Sequence, residues 1–243
     1  MNRITALARA EGRQFFRNPL LVSMMPLPVA LAVFMAKMID SPLGIALAAG
    51  MFMLFSLGFV VYYSALSMAT TRRDERVLKR LRTGEAHDWE ILTAIALPLG
   101  LMVIVLTPIT VVLMSLIAGA DLPANPLYMA ASVLLGVPFS YGLALLTSRF
   151  TKNAEAAAIT SFPVLLVSMA SLPGGIRELL RAQSEPVAAL VDWNPFALAI
   201  DLFVHGWIGE TVDRPLLTLA ALTAWTLVLT GAGIRWMRWD THR

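Results

Sequence analysis

The side chains able to do acid–base or nucleophilic chemistry are few and scattered. The chain holds three histidines, His87, His205 and His242, and no cysteine. Without cysteine there is no disulfide framework, thiolate metal site or thiol nucleophile, which argues against a redox role. No H-E-x-x-H pair or Cys/His cluster supports a metal site. No G-x-x-x-x-G-K-S/T loop is present to cradle a nucleotide's phosphates, so the chain is not expected to hydrolyse one. No serine has a buried histidine or lysine partner within its own apolar segment to activate it, which disfavours an intramembrane hydrolase. What remains is one dense charged stretch, "TTRRDERVLKRLRTGEAHDWEIL" from Thr70 to Leu92, with six Lys or Arg between Arg72 and Arg82. Its chemistry is ionic contact, and the elements around it decide with what.

Those elements are apolar. Of 243 residues, 58% are hydrophobic and 14% charged, against about 25% charged in an average soluble chain, and the mean hydropathy is +0.71. Apolar runs of bilayer-crossing length recur, so the sequence predicts one all-α polytopic membrane domain over residues 1–243 with six transmembrane helices. The spans are read as Leu20–Ile39, Leu43–Ala69, Ile91–Ala118, Leu127–Ser148, a short Ala156–Leu172, and Pro215 to about Trp236. "DSPLG" separates the first two, with Pro42 and Gly44 as helix breakers. Pro26, Pro28, Pro98, Pro108, Pro138 and Pro163 lie within or near the spans, where kinks are expected. With both termini inside, fifteen of the nineteen Lys and Arg fall on the inner side, while Lys37, Arg177, Arg181 and Arg214 fall outside. That bias predicts cytoplasmic termini and a cytoplasmic basic block. The first apolar run reads as an uncleaved signal anchor.

Two short helices are expected on the inner side. Over residues 3–17 Ile4, Leu7, Ala8 and Phe15 share one face and Arg9, Arg13 and Arg17 the other, as in a helix lying in the headgroup region against membrane lipids. A plain positive-inside anchor explains the arginines equally well, but not Glu11 within the apolar face. From Arg72 to Arg82 a single helix is expected, with Glu75 and Lys79 paired four apart and Val77, Leu78 and Leu81 as an apolar stripe ended by Gly84. "EAHDWEIL" then opens the next helix with acids at its positive end and Trp89 at interfacial depth beside Glu90. Such a stripe ringed by charge is either a solvated orientation signal or a surface for another protein.

The energy source is legible by elimination. The central turns of all six spans carry no Asp, Glu, His, Lys or Arg, whereas ion-driven carriers keep such a group at mid-membrane. Uphill movement would have to be powered by another subunit.

"EGRQFFRNP", the proline-bearing "MMPLP" and "RRDERVLKRLRTGEAHDWEIL" together resemble the permease subunits of ABC-type exporters, nearest the daunorubicin and multidrug-resistance branch. The resemblance covers nearly the whole chain. It implies a connecting helix over 1–18, a coupling segment over 70–90 seated on a separate cytoplasmic ABC ATPase subunit, and short extracellular re-entrant helices over 173–214. The broken, half-apolar texture of that last region also suits a hairpin lying on the outer surface. Carried over by position, the coupling candidates are Glu75, Arg76, Leu78, Lys79, Arg80 and Leu81, then Asp88, Trp89 and Glu90, with Arg9, Glu11, Arg13 and Arg17 on the connecting helix. One departure stands out: many relatives have Gly-Thr before the L-x-R-L part and Thr-Pro after it, where this chain has Arg76-Val77 and Thr83-Gly84.

The resemblance also places spans two and five of two permease chains around the pathway. Phe52, Phe55, Phe59 and Tyr62 form an aromatic stripe by spacing, more usual as packing or a lipid-facing surface; with Phe162 and Met169 it would make a soft wall for an amphipathic cargo. The function implied is export of a drug, antibiotic or lipid-like compound across a bacterial inner membrane. A second permease chain, identical or similar, is expected, no cofactor is expected on this chain (ATP and Mg belong to the partner), and no nucleic acid is expected. A membrane scaffold or sensor that holds a signalling partner with the same basic helix is the alternative.

Overall fold

The computed structural model describes residues 3–39, 41–82, 87–210, 212 and 214–239, and among these the regular structure is helical throughout. An amphipathic helix α1 (Arg3–Arg17) opens the chain and packs on the third span. The first span is two helices, α2 (Pro19–Met24) and α3 (Leu27–Met38), broken beside Pro26, where the sequence predicts a kink within one span. Pro26 has no amide hydrogen to continue the ladder and Pro28 fits only a first turn, so α3 starts afresh.

Ser41 then caps α4 (Pro42–Phe55), its hydroxyl accepting from the Gly44 amide at 3.2 Å. Pro42 and Gly44, read as breakers, instead form the first turn of this helix. Proline is preorganised for that position, and a Cβ at Gly44 would overlap the Ile39 carbonyl. From Ser56 to Tyr63 the ladder widens into a π-helical segment before α5 (Ser64–Asp74) resumes, giving a span of 33 residues. At about 1.5 Å per residue that is about 50 Å, well beyond the apolar thickness of a bilayer. α6 (Val77–Arg82) and α7 (Asp88–Ala118) follow, then α8 (Pro126–Ser148), the short α9 (Ala157–Ala170), and the small helices α10 (Ile176–Arg181) and α11 (Glu185–Asp192). α12 (Pro195–Ile208) bends 67° away from α11, and α13 (Pro215–Trp236) closes the bundle.

The core lies between α4, α8 and α12. Phe52 meets Phe203 at 5.4 Å, and Phe139 meets Phe196 edge-on at 5.2 Å. Asn194 seats α12 by accepting from the amides of Phe196 and Ala197 at 3.0 and 3.1 Å. The Ser132 hydroxyl donates to the Ala199 carbonyl at 2.6 Å, tying α8 to α12. α13 crosses α8 backbone to backbone at Gly142, and Thr226 and Thr230 donate to the Leu135 and Pro138 carbonyls at 3.1 and 3.0 Å. Small residues at the crossing with hydroxyls beside it are how helices associate where lipid supplies no hydrophobic drive. Burial separates the spans: 67% of the most apolar window is buried in the second and 17% in the third. The second is thus a central post and the third an outer wall.

Candidate functional site: the basic elbow and its anchors

The basic block is an elbow made of two helices. α5 ends at Asp74, and Arg76 stands at φ 59° before α6 begins at Val77. The single helix predicted from Arg72 to Arg82 is therefore broken at Glu75–Arg76, and Glu75 and Lys79 do not share a helix. A non-glycine residue at positive φ is uncommon, because its Cβ crowds the backbone. Glycine in the resembling permeases and Arg76 here stand at the same place in the motif, the one where the backbone turns left-handed.

Burial sorts the coupling candidates. Leu78 is wholly buried and Leu81 packs half-buried against the core, so the apolar stripe anchors α6 to its own chain, with Val77 half-buried beside it. Glu75, Arg76 and Arg80 are exposed, and Arg80 donates to the Glu75 carbonyl at 3.4 Å. The side chains of Lys79 and Glu11, and the helix stop predicted at Gly84, lie outside the described residues. Across the turn Trp89 is 56% exposed and Asp88 half-buried, while Glu90 is buried with a local task. Its carboxylate accepts from the His87 amide at 2.8 Å and lies 3.3 Å from the His87 ring, forming a capping box that starts α7. The acids fall in the first turn, where the helix dipole favours them.

On α1, Arg9, Arg13 and Arg17 are exposed. Phe15, predicted to rest in the headgroup boundary, is buried in the protein core instead, edge-on to an exposed Phe16. A cavity of about 810 Å³ opens between α1 and α5, lined by Arg13, Arg17, Asn18, Met68, Arg72 and Glu75 among others.

Two residues that the sequence reading passed over stand behind the elbow. Arg73 is 2% exposed and donates to the carbonyls of Ser148 at 2.8 Å and of Thr151 and Lys152 at 2.7 and 3.1 Å, at the end of α8. Asp74 accepts from the Ala154 amide at 2.8 Å. The signal was available: Leu66, Ala69, Thr70 and Arg73 follow the i, i+3, i+4, i+7 spacing of one helix face, and all four are buried.

The aromatic stripe divides. Phe52 and Tyr62 are fully buried in the core, and the Tyr62 hydroxyl donates to Thr147 at 3.3 Å. Phe55 and Phe59 are half-buried and stack at 5.1 Å. Four residues spaced for a 3.6-residue turn cannot keep one face through a π segment. Phe162 and Met169, on α9, are 60% and 48% exposed, and α9 meets the π segment at Gly58, opposite Leu165 and Ser168.

At the other end of the bundle Arg177, 3% exposed, is held by Asp201 at 2.5 and 2.6 Å and by Asp192 at 3.1 Å. Arg181 also donates to Asp192, at 2.7 Å. Burial opposes the Arg177 charge, but the bonds and charges of Asp201 and Asp192 outweigh it, so its pKa is raised. These groups line a polar cavity of about 1000 Å³ with His205. Among the described residues no set of three His, Asp or Glu side chains gathers as metal ligands.

A helical bundle with four to six membrane-crossing segments and a basic elbow at one end is a multi-pass membrane protein. Its sequence matches the family model of the ABC-2 type transporter over residues 2–207, and the chain belongs to that family. It is thus the membrane permease subunit of an ABC transporter, whose ATP hydrolysis resides in a separate cytoplasmic ABC ATPase. A comparison with curated proteins returns no match.

Proposed function

We propose that this permease serves an exporter of the daunorubicin and multidrug-resistance kind in a bacterial inner membrane, with both termini in the cytoplasm. Its cargo is a drug, antibiotic or other amphipathic, lipid-like compound. ATP closes two partner ATPase subunits, and their movement enters through the elbow, where Glu75, Arg76, Lys79, Arg80, Asp88 and Trp89 form the docking face, backed by Leu78, Leu81 and Glu90. The connecting helix, with Arg9, Glu11, Arg13 and Arg17, rests along the cytoplasmic leaflet. The carrying observation is the division of labour at the elbow: exposed Arg76 and Arg80 stand on a turn whose Leu78 is locked into the chain's own core. A surface push there is transmitted inward.

The pathway lies between two permease chains. Phe55, Phe59, Phe162 and Met169 supply its soft wall, and Phe52 and Tyr62 brace it from behind. One chain exposes apolar side chains on the outer faces of α7 and α9, which suits a wall shared between a pair of permeases. Helices 176–208 form the extracellular re-entrant lid.

Co-expression with the ABC ATPase tests this. The expected outcome is co-purification of the two, ATP turnover above that of the ATPase alone, and loss of transport on reversing charge at Arg76 and Arg80. A permease that neither co-purifies nor stimulates ATP turnover is a scaffold, and the export reading fails.

A further inference from the structure

Both helices that flank the elbow are tied to the same end of α8. From the second span, Arg73 donates to three carbonyls of the Ser148–Lys152 stretch, Asp74 accepts from Ala154, and Tyr62 donates to Thr147. From the third span, the Leu92 carbonyl accepts the Tyr141 hydroxyl at 2.7 Å, buried. The turn after α8 leads into α9 and is itself bound to it, since the hydroxyls of Thr151 and Thr160 lie 2.9 Å apart. A buried guanidinium among the last carbonyls of a helix meets unpaired acceptors and the negative end of the dipole at once. Such charge-assisted bonds resist separation more than neutral ones do. The Nε of Arg73 finds no hydrogen-bond partner among the described residues and lies 3.9 Å from Asp74, so the forked end of the side chain does the holding.

We infer that Arg73, supported by Asp74, is the positioning residue that passes elbow movement sideways to the turn between α8 and α9, so that α5, the end of α8 and the start of α9 move together. This rests on the ATPase-coupling reading above and goes beyond it by naming the strap. The π segment lies directly above the strap in the second span. A helix there has one residue too many per turn and bends more easily than regular α-helix. Below it α5 is fixed to α8; above it α4 belongs to the core with α12. A push at the elbow thus rotates α5 with the ends of α8 and α9 about that weak point, and α9, carrying Phe162 and Met169, is displaced.

The absence of native cysteine makes single-site labelling clean. The permease is labelled with bimane at Ile159→Cys on α9 or at Leu101→Cys on α7, both exposed positions. It is then assembled with its ATPase in nanodiscs and compared without nucleotide and with ATP plus vanadate. In the parent complex both reporters respond. In Arg73→Gln the α7 reporter keeps its response and the α9 reporter loses at least fivefold of it. Arg73→Lys, which keeps the charge but not the fork, recovers part, and Asp74→Ala gives a smaller loss. Should Arg73→Gln fail to assemble, Asp74→Ala decides, because that side chain is partly exposed and is held by the Ala154 amide and a long 3.9 Å approach to Arg73. An α9 response unchanged in both variants overturns the strap while leaving ATPase coupling intact. Silence of both reporters in the parent complex overturns the coupling reading and the strap with it.

Discussion

Arg177 shows what a single side chain contributes when it is sunk among partners. Its guanidinium spans α10, the last residue of α11 and the middle of α12, and also reaches the Ser171 carbonyl at 3.3 Å. Removing one member of a buried ion pair strands the other, a cost of about 3–5 kcal/mol, whereas replacing both with apolar groups can be neutral. Arg177→Ala is therefore expected to lower the melting temperature of the detergent-purified chain substantially, and Arg177→Met with Asp201→Leu to recover most of it. Equal melting of Arg177→Ala and the parent would mean that the network does not hold the hairpin. Neither this network nor the Arg73 strap was visible in a count of charges, which assigned each arginine only to a side of the membrane. Asp192 and Asp201 are 15 and 24 residues from Arg177, and the turn that Arg73 grips is 75 to 79 residues away; no local pattern encodes such pairings. Arg76 is the contrary case. There the departure from Gly in the resembling motif stands out in the sequence, and the φ of 59° shows that the backbone turns left-handed at this position, a conformation that favours glycine.

Among the elements, long apolar runs were legible because hydropathy alone fixes a crossing: the fourth and sixth spans begin and end within a residue of where the sequence puts them. What hydropathy does not carry is hydrogen-bond register. The π segment looks like any apolar helix, so the aromatic spacing misled, and α12 reads only as one of several short re-entrant helices or part of a surface hairpin, because Pro186, Pro195 and the acids break the run. Proline at the first turn and a carboxylate paired with Arg177 allow it to be buried all the same. Glycine spacing at the α8–α13 crossing was equally silent. A Cβ on Gly142 would stand 2.5 Å from the Thr230 Cα, a backbone atom with nowhere to go, while Gly231 has nothing within 4 Å. Gly142→Ala is expected to cost about 2 kcal/mol through forced separation of the helices. Gly231→Ala should gain up to about 1 kcal/mol from helix propensity. Melting curves of the two variants check the crossing directly, and similar behaviour at both positions would refute it.

For the molecule as a whole, the decisive feature is where ionisable groups sit. Among the described residues Arg72, Arg73, Glu90 and Arg177 are the buried charged side chains, and the last three serve as strap, cap and clamp. Each of these three is held in place by fixed partners, whereas a coupling ion needs a mid-membrane group that exchanges partners during transport. On the coupling reading proposed above, such a chain is expected to change shape under load and not to draw work from a gradient. Sealed vesicles holding the permease alone, given an imposed proton or sodium gradient and a fluorescent amphiphilic dye, are therefore expected to show no accumulation beyond passive partition. Adding the ABC ATPase and ATP should raise accumulation severalfold, and reversing charge at Arg76 and Arg80 should abolish that gain. Ion-driven accumulation by the permease alone would show that one of the clamped charges does let go, and the mechanical account would have to be replaced by a carrier mechanism.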